Sequence, residues 1–331
     1  MCWKPVIALL AGAMMVCGCG RRPETAPAGP AVPVVLGLGV EADNGLALLA
    51  ERLKLFDAAS VSATVSNFAS GKLALGALLR GEVEIATAAQ TPIVTEGFER
   101  RDLRILAVVG TSDNMMKIVA RKDAGVLTAG DLRGKKIATQ PLSFMHFFLH
   151  LFLLKNGVQP AETDIVFAQP DVLAAMLAQG EAQAASLREP FTAQALKMLG
   201  GNAIVLEEPG LCVRYYVLLT TERVLREKPA AVMGVLRALL EAGRRARHDP
   251  AAMEGIIVDR LKIDAAAARR LCREIDLRVN LPQSLLVNLE DEARWVASVQ
   301  SGAAREIPNY LELVAVEPLK TLQPDAVTVI H

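Results

Sequence analysis

The hydrophobic positions along the chain predict a β-α-β-α-β unit that occurs twice. Short apolar runs, such as 34–40 and 61–68, have the length of buried strands. Between such runs, leucines or phenylalanines recur every three or four residues, which predicts amphipathic helices. Two of these helices are expected to begin at Asn44 and Ser143, whose polar side chains suit a helix cap. Strands that alternate with helices predict an α/β fold with mainly parallel sheets.

The two halves match at an offset of 99 residues. Residues 81–84 read Gly-Glu-Val-Glu, and residues 180–183 read Gly-Glu-Ala-Gln. The same offset aligns 34–40 with 133–139 and 61–68 with 160–167. Any two βαβ units share a general pattern, but a common turn at equal distance favours a structural duplication.

Further apolar runs predict how the halves are joined. Residues 103–109, 114–121 and 213–220 read as strands that cross between two lobes. The C-terminal part reads as helical, with proline at several helix starts. The predicted helices span 229–247, 251–261, 265–274 and 284–299. We expect residues 34–113 with 216–331 to form the first lobe, and residues 114–215 the second.

The N-terminus has the parts of an export signal. Lys4 precedes an apolar run over residues 5–16, which is too short to span a bilayer. The following Val-Cys-Gly-Cys resembles a bacterial lipobox, which predicts a signal peptide over residues 1–19 and a lipid on Cys19. Residues 20–33 are rich in proline and alanine and predict a tether. These features place the mature protein outside the cytoplasm, anchored to a membrane.

Composition narrows the possible partners and cofactors. The chain has 36 basic and 36 acidic residues and no basic tract set among aromatics, which argues against a nucleic-acid partner. The four histidines are scattered and Cys212 and Cys272 lie far apart, so no metal site and no cofactor are predicted. A disulfide between these cysteines is permitted but not required. We expect a monomer.

Several segments together resemble a known family. They are the Gly-Glu turns at 81–84 and 180–184, the sequence Asp-Leu-Arg-Gly-Lys-Lys-Ile-Ala at 131–138, and Glu189-Pro190. With the lipobox, they resemble the nitrate/sulfonate/taurine and pyrimidine-precursor branch of ABC-transporter solute-binding proteins. Glu84 and Gln183 depart from the aspartate usual in this branch, which we expect to affect turn geometry more than ligand contacts.

The resemblance implies a fold and a function. The fold would be a two-lobed periplasmic binding protein of type II, with two crossing strands between lobes that close on a ligand. The function would be capture of a sulfonate, a nitrate- or bicarbonate-like oxyanion or a pyrimidine-class solute for the permease subunits of an importer, without catalysis.

The expected ligand site follows from the parallel sheets. Ligands bind beyond the carboxyl ends of parallel strands, near helix N-termini that expose unpaired amides. The corresponding loops supply the candidate ligand-binding residues Asn44, Ser70, Gly71, Gln90, Thr91, Ser143, Phe144, His146 and Glu189, with Tyr216 from a crossing strand. Several have ordinary structural alternatives, such as helix caps for Asn44 and Ser143 and a core position for Phe144. Glu189 is as well suited to bracing a loop as to facing a ligand amine.

The charges of these loops leave the ligand class open. Glu41, Asp43, Asp171 and Glu189 outnumber Arg188, which favours a neutral or amine-bearing ligand. The amides at the helix N-termini favour an anion instead.

Other classes of protein stay as alternatives. Gly37, Gly39 and Ala42, with Asp57 further on, fit a dinucleotide fingerprint, although the glycines fall inside the predicted strand. An exported enzyme on the same fold would need a reactive residue in the loops, and Cys212 and Cys272 lie outside them. A sensory ligand-binding protein is a third alternative.

Overall fold

The computed structural model describes Met1, residues 31–300 and residues 305–330. Apart from Met1, the predicted signal peptide with Cys19 and the tether up to residue 30 lie outside the described residues. The first strand begins at Val32, within the last residues of the predicted tether. In the described part of the chain, no helix is both long and apolar enough to cross a membrane.

The described strands overlap every apolar run predicted as a strand and include three further strands that had no predicted range. In chain order they are β1 Val32–Gly39, β2 Val61–Phe68, β3 Ile85–Ala89, β4 Leu103–Ser112, β5 Lys117–Arg121, β6 Lys136–Thr139, β7 Asp164–Phe167, β8 Ala184–Leu187, β9 Ala203–Leu206 and β10 Arg214–Thr221. The expected strand 160–167 is shorter, because residues 160–162 form a 3₁₀ turn.

The helices include the predicted C-terminal group. In chain order they are α1 Gly45–Arg52, α2 Leu55–Ala58, α3 Gly71–Leu79, α4 Gln90–Gly97, α5 Phe144–Lys155, α6 Pro170–Gln179, α7 Phe191–Leu199, α8 Glu222–Glu227, α9 Pro229–His248, α10 Pro250–Leu261, α11 Ala265–Glu274, α12 Gln283–Val299 and α13 Val316–Leu322. Leu53 follows the end of α1 and is exposed.

The strands form two five-stranded sheets. The first sheet has the order β2-β1-β3-β10-β4, and the second has the order β7-β6-β8-β5-β9. The chain enters the second sheet at β5 and returns to the first sheet at β10. Each of these two strands is antiparallel to both of its neighbours. The sheets are therefore mixed, and the predicted two-lobed α/β fold is confirmed. We call each sheet with the helices packed on it the first and the second lobe.

The C-terminal helices pack on the first sheet. Helix α9 lies against α1 and β1, and α12 lies against α4. Backbone hydrogen bonds tie this tail to β4, with the Val108 N–H donating to the Asn280 carbonyl over 2.7 Å. All eight residues of strand β10 are buried. The strand lies between β3 and β4 in the sheet that these helices cover. The lobe boundaries at 113, 215 and 216 stay predictions.

The internal duplication is visible in the hydrogen bonds of the two Gly-Glu turns. Gly81 and Gly180 both adopt positive φ, at 77° and 79°. Three residues later, Glu84 Oε2 accepts from the Val35 N–H at 3.1 Å, and Gln183 Oε1 accepts from the Lys136 N–H at 2.9 Å. Both side chains therefore bind the backbone of the strand that begins their own unit.

Position 39 requires glycine because β1 comes very close to the start of α3 there. A Cβ at Gly39 would lie 2.6 Å from the Gly71 nitrogen and 3.0 Å from the Tyr216 hydroxyl. This contact explains one glycine of the dinucleotide-like pattern by packing alone, because β1 runs through Gly39.

We expect Gly39→Ala to destabilise the protein by about 1–3 kcal/mol, the usual cost of overpacking. Chemical denaturation would measure the change, with Gly201→Ala as control because nothing lies within 4 Å of its Cβ position. Equal stabilities of the two variants would contradict this account of β1 and α3.

Candidate functional site

Two helix N-termini, one from each lobe, meet where the two lobes touch. Helix α3 follows β2 of the first sheet, and α5 follows β6 of the second. Lys72, in the first turn of α3, donates from Nζ to the Pro141 carbonyl just before α5 at 2.6 Å. The Gln140 amide donates to Ser70 Oγ at 3.4 Å. The loops before the two helices are therefore in direct contact.

The first-turn amides of these helices supply hydrogen-bond donors. The Gly71 N–H donates to Glu41 Oε1 at 3.0 Å. Within the described residues, the amides of Lys72, Phe144 and Met145 have no hydrogen-bond acceptor. Such amides carry partial positive charge, so both helix starts favour an acceptor or an anion.

A buried ion network, formed by Glu41, Asp43, Arg188 and Arg214, lies beside the helix starts. Arg188 pairs with Glu41 at 3.0 Å, and Arg214 pairs with Asp43 at 2.5 Å and also with Glu41. None of the four side chains is more than 4% exposed. Each charge is thus removed from water and depends on the others for compensation.

The network sets the ionisation of its carboxyl groups. Burial opposes ionisation of Glu41, but Arg188, Arg214 and the Gly71 amide outweigh it and hold the pKa of Glu41 below its usual value. Burial raises the pKa of Asp43, with Arg214 acting in the opposite direction. The sequence-based count of acidic loop charges therefore needs correction, because Glu41 and Asp43 are neutralised by arginines.

Arg188 is a buried charged residue that joins the lobes. It follows β8 of the second sheet, and its guanidinium donates to the Val40 carbonyl at 3.0 Å and to the Ala69 carbonyl at 3.4 Å. Both acceptors lie at the ends of strands in the first sheet. A single buried side chain therefore binds the carboxyl edges of β1 and β2 from across the lobe contact.

The space left between the helix starts is small. A cavity of about 20 Å³ is lined by residues of both lobes, among them Ser70, Lys72, Gln140, Ser143, Phe144, Arg188 and Arg214. That volume holds about one water molecule. A solute of several heavy atoms needs Arg188 or the lobes to move.

The two lobes also contact each other through aromatic side chains. Trp295 of α12 lies with its ring centroid 5.0 Å from His146 and 5.2 Å from Phe147, both on α5. Burial lowers the pKa of His146 to about 4, so the imidazole is neutral at pH 7. His146 Nδ1 accepts from the Leu142 N–H at 3.4 Å, which supports a turn in which Leu142 has a φ of 46°.

Only some of the predicted ligand-binding residues lie at the small cavity. Ser70, Ser143 and Phe144 line the small cavity, and Gly71 lies beside it. Asn44 and Tyr216 do not line this cavity and are buried in the first lobe. There Asn44 binds the Gly39 carbonyl, the Thr87 hydroxyl and, at 3.4 Å, the Tyr216 hydroxyl.

The other predicted residues have partners within the protein. The Gln90 side chain binds the Val213 carbonyl and the Tyr215 amide. The Thr91 hydroxyl donates to Glu292 at 2.5 Å, and burial raises the pKa of Glu292 to about 8. Glu189 lines a separate cavity next to α11 and accepts from the Ala193 N–H at 3.1 Å.

Two of the expected helix caps are wrong. Neither Asn44 nor Ser143 accepts a first-turn amide with its side chain. The Ser143 hydroxyl instead donates to the Gln140 carbonyl at 2.8 Å, which leaves the first amides of α5 open. Ser70 does cap its helix, accepting from the Leu73 N–H.

Lys72, Gln140, Arg214 and Trp295 are among the residues of this contact that the sequence did not single out. Lys72 could have been found, because it directly follows the predicted Ser70-Gly71 helix start. Arg214 opens β10, and nothing local to it shows that Glu41 and Asp43, more than 170 residues earlier, are its partners.

Comparisons with known proteins agree with this fold. The alkanesulfonate-binding protein SsuA from Xanthomonas axonopodis pv. citri, solved with MOPS, has a TM-score of 0.72 at 19% identity and covers 87% of this chain and 99% of its own. The nitrate-binding protein NrtA from Synechocystis PCC 6803 has a TM-score of 0.72 at 13% identity, covering 90% and 92%. The fold is that of the periplasmic binding proteins.

Sequence comparison names the family. The chain belongs to the NMT1/THI5-like family, whose model matches residues 45–253. The taurine-binding periplasmic protein of Escherichia coli K12 is 27% identical over 123 residues, which are 37% of this chain and 38% of that protein. The chain thus aligns with well under half of this relative. The resemblance to the solute-binding branch is confirmed.

We expect Arg214→Met to destabilise the protein by about 3–5 kcal/mol at pH 7, because it leaves Asp43 buried without its cation. The arginines lower the pKa of Glu41 from its usual value of 4.5, so ionised Glu41 stabilises the folded protein at higher pH. This stabilisation is lost as the pH falls through the lowered pKa, so the difference in stability from wild type should shrink below about pH 5.

Denaturant melts across this pH range would measure the difference. Arg223→Met is the matched control, since Arg223 pairs with Glu227 at the exposed surface and should change stability by less than about 1 kcal/mol. If the loss of stability in Arg214→Met were constant with pH, or no larger than that in Arg223→Met, Arg214 would not stabilise the protein through the ion network.

Proposed function

We propose that this protein is the extracytoplasmic solute-binding component of an ABC importer and that it holds a small oxyanion between its lobes. The observation that carries the proposal is the meeting of two helix N-termini with open amides at Lys72, Phe144 and Met145. Amides of this kind bind anions without a full opposing charge. One helix comes from each lobe, so a bound anion would hold the lobes together.

The charge balance supports an anion over an amine. Within the buried network, Glu41 and Asp43 offset Arg188 and Arg214, so Lys72 is left as the additional cation lining the cavity. Burial lowers the pKa of Lys72, with Glu96 opposing the effect. An anion bound next to Lys72 would favour its charged form. The relatives named for taurine, alkanesulfonate and nitrate fit the same chemistry, and we propose a sulfonate or a nitrate- or bicarbonate-like solute for this chain.

Binding without catalysis is the better supported activity. Burial raises the pKa of Cys212 to about 12 and that of Cys272 to about 11, so both thiols stay protonated and are poor nucleophiles at neutral pH. His146 is held by the Leu142 amide and the Trp295 ring. Neither arrangement favours the exported-enzyme alternative.

The route of the solute is part of the same proposal. The chain would be exported, carry a lipid on Cys19 and pass its solute to permease subunits in the membrane. The lipobox-like Val-Cys-Gly-Cys sequence and the proline-rich segment after it support this arrangement.

We expect Lys72→Met to weaken oxyanion binding about tenfold to a hundredfold, because a hydrogen bond to a charged group contributes about 1.5–3 kcal/mol. Calorimetric titration with taurine, ethanesulfonate, nitrate and bicarbonate would find the ligand and measure the loss. Lys72→Arg should retain most of the affinity.

Lys197→Met is the matched control, because Lys197 is exposed in the last turn of α7. If Lys72→Met bound the oxyanion as tightly as this control, the proposed anion site would be wrong.

We expect Cys19→Ser to release the protein into the soluble extracytoplasmic fraction, because the lipid is the proposed anchor. Membrane fractionation and mass spectrometry of the N-terminal peptide would measure this. Unchanged fractionation together with an unmodified Cys19 in the wild type would refute lipid anchoring.

A further inference from the structure

A second cavity lies between α11 and the second sheet, apart from the helix starts that form the proposed anion site. Its volume is about 220 Å³, enough for a small organic solute but below the range of drug-sized pockets. Leu196, Val205 and Leu271 give it an apolar wall. The wall comes from α7 and β9 on one side and from α11 on the other.

The side chains that line this cavity include more acidic than basic groups. Glu189, Glu207 and Glu274 line it together with Lys117 and Arg270, three carboxylates against two cations. The Lys117 ammonium is already engaged, at 2.7 Å from the Asn114 carbonyl, 3.1 Å from Glu207 and 3.9 Å from Glu274.

Among these three carboxylates, Glu189 is the one that no cation of the described residues pairs with. One of its oxygens accepts from the Ala193 amide, and no cation of the described residues lies within 4.0 Å of the carboxylate. Burial raises the pKa of Glu189, and the neighbouring Glu274 adds to this effect while Arg270 opposes it. Burial also raises the pKa of Glu274. Both groups would gain from a cation placed between them.

Thr192 supplies an independent observation in the same cavity. Its side chain contributes to the wall and is only 5% exposed, yet its hydroxyl has no hydrogen-bond partner among the described residues. Buried hydroxyls are rarely left without a partner, so an unpaired one in a cavity wall points to a polar ligand group.

We propose that this second cavity binds a small amine-bearing solute, with its ammonium group at Glu189 and Glu274 and its carbon chain against Leu196, Val205 and Leu271. The ammonium group would supply the missing positive charge and a donor for the Thr192 hydroxyl. A site of this chemistry is separate from the anion site at Lys72 and goes beyond the proposed transport function.

The cavity is lined by residues of both lobes. Helix α11 leads directly into Asp276, whose backbone N–H and carbonyl both bind Thr111 of β4 in the first sheet. Glu189 and Thr192 belong to the second lobe. An amine in this cavity would therefore contact residues of both lobes.

The test compares propylamine with 1-propanol, which has nearly the same shape but no charge, by calorimetric titration of the whole protein at pH 7. We expect propylamine to bind at least tenfold more tightly than the alcohol. The double variant Glu189→Gln with Glu274→Gln should lose at least tenfold in amine affinity. Glutamine at 189 retains an oxygen for the Ala193 amide, which limits the effect on folding.

Two controls locate the amine. Glu254→Gln changes a glutamate on α10 that pairs with Arg269 outside the cavity, and Lys72→Met changes the anion site. Both should bind propylamine within about twofold of wild type. Propylamine that shows no saturable binding, or binds no better than 1-propanol, would overturn the proposal. So would wild-type amine affinity in the double variant, or a change in affinity that appears only in Lys72→Met.

Discussion

The buried ion network of Glu41, Asp43, Arg188 and Arg214 is the constraint on which the rest of the lobe contact depends. Four charges with at most 4% exposure cannot be left singly in the interior, because each would cost several kcal/mol without its partners. Their pairing fixes the end of β1, the start of β10 and the turn after β8 relative to one another. The two sheets therefore meet at one defined edge.

The network also determines what the neighbouring helix starts can bind. Glu41 takes the first amide of α3 and both arginines, so the remaining donors are the next amide of α3 and the first two of α5. Lys72 adds a positive charge that the network does not offset. The same arrangement explains why the acidic loop residues do not indicate a cationic ligand in the cleft. A carboxylate that no cation of the described residues pairs with, that of Glu189, lies instead in the second cavity.

The fold was predictable from the sequence and most of the site was not. The predicted helices 229–247 and 265–274 agree with α9 and α11 to within one residue, because periodicity and proline act over short distances. The Gly-Glu turns reveal the duplication for the same reason. Arg214 and Glu41 are far apart in sequence, so only the folded chain shows their pairing. Ser143 has the residue type of a cap, but its hydroxyl finds the Gln140 carbonyl instead.

The most direct test of the central claim, an oxyanion bound between the lobes, uses Trp295. It is the one tryptophan of a protein comprising residues 31–331, since the other is Trp3, and its ring touches α5 across the lobe contact. We expect its emission to change saturably with at least one of ethanesulfonate, taurine, nitrate and bicarbonate, and not with ethanol. No saturable change with any of these anions, or the same change with ethanol, would contradict the claim.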